Sequence, residues 1–150
     1  MECKFCNIPG DKILKELKYS TVSLGRPHHK GHIKVVLKNH KEDILEMTRK
    51  EANNFFNDLI KVSKVVNNVL KPDKMNYALL GNWVSHLHWH IIPRFKEDKD
   101  FGNPPLEPLK QEEFEKKELT PEELKKLKEE LDKIEYYYDN VFKLEESGIL

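Results

Sequence analysis

Ser85-His86-Leu87-His88-Trp89-His90-Ile91-Ile92-Pro93-Arg94 carries three of the chain's seven histidines at alternate positions. Successive side chains of a strand point to opposite faces, so His86, His88 and His90 belong to one face and Leu87, Trp89 and Ile91 to the other. The apolar set reads as the core side and the histidine set as the chemical side. A solvent face ordinarily draws on many polar types. A row of imidazoles points instead to a metal site, or to a site that handles phosphate and protons near neutral pH.

Working outward, Gly81-Asn82-Trp83-Val84 reads as a turn, and Met75–Leu80 before it as a strand pairing antiparallel with the histidine strand. A glycine in that turn lets backbone approach a ligand closely or take a positive φ. Further upstream, 12–18 and 19–24 read as two short strands, and His32-Ile33-Lys34-Val35-Val36-Leu37 as a third, rich in β-branched residues. Thr48-Arg49-Lys50-Glu51 has the capping-box pattern, followed by Phe55, Phe56, Leu59, Ile60, Val66 and Val69 at helical spacing, until Lys71-Pro72-Asp73 stops the helix. The expected architecture is therefore α+β, a mainly antiparallel sheet of about five strands crossed by one long helix.

At 150 residues the chain is long enough for one substantial core, and 38% apolar residues suit a folded protein despite 35% charged. No apolar run approaches a membrane span and the N-terminus lacks a signal-peptide stretch, so the expectation is a cytoplasmic protein with no membrane partner. Lys plus Arg equals Asp plus Glu at 26 each, but residues 110–150 hold 8 lysines against 13 acidic residues, leaving 18 basic and 13 acidic in 1–109. The basic part is the histidine-bearing part. That surplus suits an anionic small molecule and is too diffuse for a nucleic-acid groove. No Gly-x-x-x-x-Gly-Lys-Ser/Thr run is present, which excludes a P-loop nucleotide site.

Cys3 and Cys6 are the only cysteines, spaced C-x-x-C. In a reducing compartment such a pair is metal-binding or redox-active rather than a structural disulfide. His40 and His86 are available to complete a Cys2His2 set, although the long gaps are unlike a zinc finger.

His86-Leu87-His88-Trp89-His90-Ile91-Ile92, together with Cys3-Lys4-Phe5-Cys6-Asn7-Ile8, Gly31-His32, Asn39-His40, Leu79-Leu80-Gly81-Asn82 and Pro93-Arg94, resembles the histidine-triad family of nucleotide hydrolases and transferases. The resemblance covers roughly residues 1–100. It implies that His88 attacks the α-phosphorus of a nucleotide, forming a nucleotidyl-His88 intermediate, with a dinucleoside polyphosphate or a nucleoside phosphoramidate as substrate. His90, Asn82 and Gly81 are implied to hold the phosphates; Asn82 stands where many relatives carry glutamine, and Asn76 roughly matches a further phosphate-side asparagine. The zinc-bearing branch of the family implies structural zinc on Cys3, Cys6, His40 and His86, and relatives are commonly homodimers. Zinc on His86 would keep that imidazole from shuttling protons. Leu37 departs from the family, which commonly has proline there, and the residues themselves leave two rival readings: a catalytic metal held jointly by His86, His88 and His90, and a non-catalytic nucleotide sensor. His32 reads as bracing the site, and His28 and His29 as surface residues.

After Arg94 the resemblance fades. Asp100–Pro108 reads as a connector and Thr120-Pro121-Glu122-Glu123 as a capped helix start. Leu124, Leu127, Leu131 and Ile134 form a narrow apolar stripe, with Tyr136, Tyr137, Tyr138 and Phe142 as further packing candidates. Residues 1–109 are thus expected to form the nucleotide-binding domain, and 110–150 a charged helical extension that must dock on the domain or its dimer mate rather than fold alone.

Overall fold

The computed structural model describes residues 2–105 and 115–146, the last twelve as backbone only. Strands β1 (Ile13–Glu16), β2 (Ser20–Leu24), β3 (Ile33–Leu37), β4 (Lys74–Ala78) and β5 (His88–Arg94) form one sheet in the order β1-β2-β3-β5-β4. Every neighbouring pair is antiparallel. The α+β architecture expected from the strand and helix patterns is the one observed.

Helix α1 (Arg49–Leu70) begins where the capping box placed it: Thr48 Oγ1 accepts from the Glu51 N–H, and Glu51 accepts from the Thr48 N–H at 2.8 Å. It ends at Lys71 in the left-handed conformation, φ 48°, immediately before Pro72. Its inward face lays Phe55, Leu59, Val62 and Val66 against Val22, Ile33, Val35 and Ile91 of the sheet. Phe56 and Ile60 belong to the same apolar periodicity yet remain 52% and 38% exposed, because the stripe is wider than the sheet it covers.

Helix α2 (Pro121–Glu146) also opens on a reciprocal cap, Thr120 N–H to Glu123 at 2.9 Å and Glu123 N–H to Thr120 Oγ1 at 3.2 Å. Leu127 and Leu131 lose all solvent contact beside α1 and β1, so the helix docks on this domain's own helical layer, behind the face that carries the histidines. Removing two leucine side chains from water contributes about 1.5–3 kcal/mol each, which a narrow stripe can obtain only by docking. Tyr136, Tyr137, Tyr138 and Phe142 lie outside the described side chains, as does the end of the expected connector at 106–108.

One expectation needs correction. The histidine strand begins at His88, not at Ser85. Leu87 N–H bonds to the Lys41 carbonyl at 2.8 Å and the Leu87 carbonyl accepts from Leu37 N–H at 3.1 Å, so this stretch is tied to the end of β3 and the loop after it instead of continuing the β4 ladder. His86 is thereby released from strand geometry.

Beneath the sheet, Asp58 of α1 is 2% exposed and its Oδ2 has no partner among the described residues. Burial pushes its pKa from 3.8 up to about 6, against the pull of Ser20, Lys61 and Lys38. A carboxyl whose folded pKa is raised binds more protons folded than unfolded, so stability falls as pH rises from about 4 through 6 and then levels. Asp58→Asn should therefore gain roughly 1–3 kcal/mol at pH 7.5 and nothing at pH 4, read by urea unfolding at both values. Equal gains at the two pH values would show that the charge is not the cause.

Candidate active site and metal centre

Cys3 and Cys6 sit in a turn closed by the Cys6 N–H on the Cys3 carbonyl at 3.1 Å, and both are free thiols. Cys3 Sγ lies 3.4 Å and Cys6 Sγ 3.6 Å from His86 Nδ1. His40 Nδ1 is 3.4 Å from Cys6 Sγ and 3.1 Å from His86 Nδ1. A tetrahedron built on zinc–sulfur and zinc–nitrogen bonds has edges of about 3.3–3.8 Å, so the donor set has the size and chemistry of a closed Cys2His2 site. His86 completes the argument. Its Nε2–H donates to the Leu37 carbonyl at 2.7 Å, which leaves Nδ1 as the lone-pair nitrogen facing the cysteines and orients the ring as outer hydrogen bonds do for metal-bound imidazoles.

His88 turns the other way. Its Nδ1–H donates to the main-chain carbonyl of His86 at 2.6 Å, so the lone pair resides on Nε2. Phe5, between the two cysteines, presses its ring on His88 with centroids 4.5 Å apart at 71°. The turn that carries the thiols therefore also fixes the orientation of the central histidine.

A second relay sets His90. His32 Nδ1 lies 3.1 Å from the Arg26 N–H and 3.3 Å from the Arg26 carbonyl; the N–H is closer and can only donate, so His32 Nδ1 accepts, its proton is on Nε2, and Nε2–H donates to His90 Nδ1 at 2.9 Å. His90 is left with Nε2–H as a donor. Burial, reinforced by His90 and Lys34, pushes His32 down to about 3, and burial, His88, Lys34 and Arg26 push His90 down to about 4. Both rings are neutral at pH 7. The bracing role expected of His32 is what the geometry gives it. Gly25 is required for this relay, since a Cβ there would meet the His32 ring at 2.5 Å. Gly25→Ala should displace a ring held from both ends and lower turnover by about tenfold, with Gly25→Ser at least as severe; steady-state rates of the two variants check it. Wild-type rates in both would show that the relay tolerates the shift.

The inner nitrogens of the three triad rings thus have three different partners. Among the described residues the one group with metal-ligand geometry is Cys3, Cys6, His40 and His86. His88 and His90 instead line a cavity of about 550 Å³, together with Gly81, Asn82, Arg26 and Lys34. Gly81 has φ 72°, a conformation that favours glycine and turns the chain at the cavity wall. Asn76 shares this face of the sheet but does not line the cavity. Its Oδ1 accepts from Arg94 Nη1 at 2.8 Å, as a guanidinium with 1% exposure demands acceptors.

The surface reading fails for His29, which is buried with Nε2 on Asp100 at 2.9 Å; His28 is half-buried, and both line the cavity. Sequence reasoning also missed Arg26, Phe5 and Lys34. For Lys34 a signal existed, because a lysine on an interior strand next to the Gly-His pair breaks an otherwise apolar run.

Residues 6–97 match the HIT domain family. The chain is 31% identical over 144 residues to the adenosine 5'-monophosphoramidase hnt1 of Schizosaccharomyces pombe, covering 87% of this chain and 96% of that protein. It is 29% identical over 113 residues to the protein hit of Bacillus subtilis, covering 67% and 76%. Among solved structures, a Zn-bound histidine triad family protein from Mycobacterium smegmatis superposes with TM-score 0.65 at 21% identity, covering 91% of this chain and 98% of that one. The HIT domain match over residues 6–97 and the 31% identity to hnt1 across 87% of the chain show that this chain belongs to the HIT domain family.

Proposed function

We propose that this protein is a histidine-triad nucleotide hydrolase or nucleotidyl transferase that acts at an α-phosphate through a nucleotidyl-His88 intermediate. The observation that carries it is the His88 Nδ1–H bond to the His86 carbonyl, which puts the lone pair on Nε2 in the ring that lines the cavity. Nε2 attacks the α-phosphorus and the bond to the leaving group breaks. Water, or an acceptor nucleophile in a transferase, then takes the nucleotidyl group from His88 and regenerates the neutral imidazole. His90 Nε2–H, Asn82 and the backbone at Gly81 meet the phosphoryl oxygens, where fixed donors contribute most. Asn76, whose Oδ1 accepts from Arg94 on β5, stays outside the cavity wall and is not assigned to the phosphates. The leaving group is a nucleoside polyphosphate chain or an amine.

Zinc on Cys3, Cys6, His40 and His86 is structural in this reading, supplying a rigid tie between the N-terminal turn and the triad. Two thiolate ligands call for a reducing compartment, hence the cytoplasm. β4 is an edge strand, and beside it Phe56, Ile60, Tyr77 and Trp89 line an apolar groove of about 490 Å³. This face suits a second copy of the chain, and sedimentation of the wild type against Phe56→Glu tests the homodimer. No described helix is long and apolar enough to cross a membrane.

The reading is tested by incubating the protein with diadenosine polyphosphates, adenosine phosphoramidates and nucleoside monophosphate esters. Turnover of at least one class, abolished in His88→Asn, supports it. Tight binding without turnover would make the protein a nucleotide sensor instead.

A further inference from the structure

We propose that Lys34 is the phosphate-binding cation of this site, the side chain that meets the negative charge of the phosphoryl group as His88 attacks it; this rests on the reading of the cavity as a nucleotidyl-transfer centre.

Lys34 is on β3, an interior strand, directly across the ladder from His90. Opposed residues of an antiparallel pair carry their Cβ atoms on the same face, about 4.5–5.5 Å apart. Lys34 and His90 therefore rise side by side into the same cavity. The ammonium lies 5.0 Å from the centre of the Phe5 ring, and that ring packs on His88. An aromatic face attracts a cation, so Phe5 seats the ammonium beside the attacking imidazole.

The histidines cannot supply this charge. His32 and His90 are neutral at pH 7, and His88 must be neutral to attack. They offer a lone pair and hydrogen bonds, but the phosphoryl group brings net negative charge that passes onto its equatorial oxygens during transfer. Arg26 and Lys34 line the cavity, and no Asp or Glu does so among the described residues. Two cationic side chains on one wall favour a polyanion. Lysine suits this role as a compact point charge on a flexible stem.

The test uses the full chain as wild type, Lys34→Met and Lys34→Arg, each checked for an unchanged circular dichroism spectrum and melting temperature. With whichever substrate the wild type cleaves, Lys34→Met should lower kcat by about 100-fold. Lys34→Arg should stay within about tenfold of wild type, and kcat/KM should fall less with added salt in Lys34→Met than in wild type. Inorganic pyrophosphate, followed by calorimetry, gives a readout free of chemistry and of base identity: wild type and Lys34→Arg bind it, and Lys34→Met binds it at least fivefold more weakly. Lys34→Met turning over within about threefold of wild type, or Met and Arg variants equally impaired, would overturn the assignment. So would a wild type that does not bind pyrophosphate. A wild type that cleaves nothing in the panel defeats the nucleotidyl-transfer reading, while the pyrophosphate contrast between the Met and Arg variants still decides whether Lys34 holds phosphate.

Discussion

His88→Asn should abolish turnover, leaving less than about one thousandth of the wild-type kcat, while nucleotide affinity stays within a few-fold. A thousandfold loss corresponds to about 4 kcal/mol in the barrier, the scale expected when a covalent route is removed and not merely weakened. Asparagine approximates the inner half of the imidazole and retains an N–H for the His86 carbonyl, so the cavity wall keeps its shape. What disappears is the Nε2 lone pair. Acid-quenched wild type incubated with radiolabelled substrate should carry an acid-labile nucleotidyl label that the variant lacks. Activity within about tenfold of wild type, a difference of only ~1.4 kcal/mol, would rule out His88 as the nucleophile.

Replacing Cys3 and Cys6 together by serine should remove bound zinc and lower the melting temperature by about 10 °C or more. Elemental analysis of the wild type should find one zinc per chain. In small zinc domains the metal supplies nearly all folding free energy, but here the sheet and helices bury their own core, so a loss of a few kcal/mol is the proper scale. For a domain of this size each kcal/mol moves the melting temperature by about 2–4 °C or somewhat more. Turnover should fall by about tenfold, much less than in His88→Asn, since Phe5 loses its seat on His88 while the His88 bond to the His86 carbonyl is made by the main chain. A wild type without zinc, or a serine variant that melts with it, would remove the metal from the account.

How much of this was legible in the sequence depended on how far apart the cooperating residues lie. Alternation placed His88 and His90 on one face because a strand's period is a local property. The capping boxes at Thr48 and Thr120 located both helix starts for the same reason. His86 escaped the alternation because its position is decided by Lys41 and Leu37, bonded across the chain to Leu87. His29 looked like a loop residue, since its partner Asp100 is 71 positions away. The importance of Lys34 depended on the β3–β5 register, which pairs it with His90 and which no local pattern contains. The Cys2His2 set was suggested by resemblance, and the converging donor atoms are what make it physical.

The strand order carries a consequence for how the chain acquires its form. β5 is the last strand to be synthesised, yet it lies between β3 and β4. Until it arrives, β4 has no neighbour in the sheet, and Cys3 waits for a partner 83 positions downstream. A chain released before residue 86 would own a three-stranded meander, an orphan strand and three of the four metal-site donors. Closing such long loops is costly in entropy and is repaid only when the insertion is complete, so assembly should be slow to nucleate and then all-or-none. Nascent fragments consequently lack the His88–His90 pair, and the cavity that pair lines comes into being in the same step that completes the sheet.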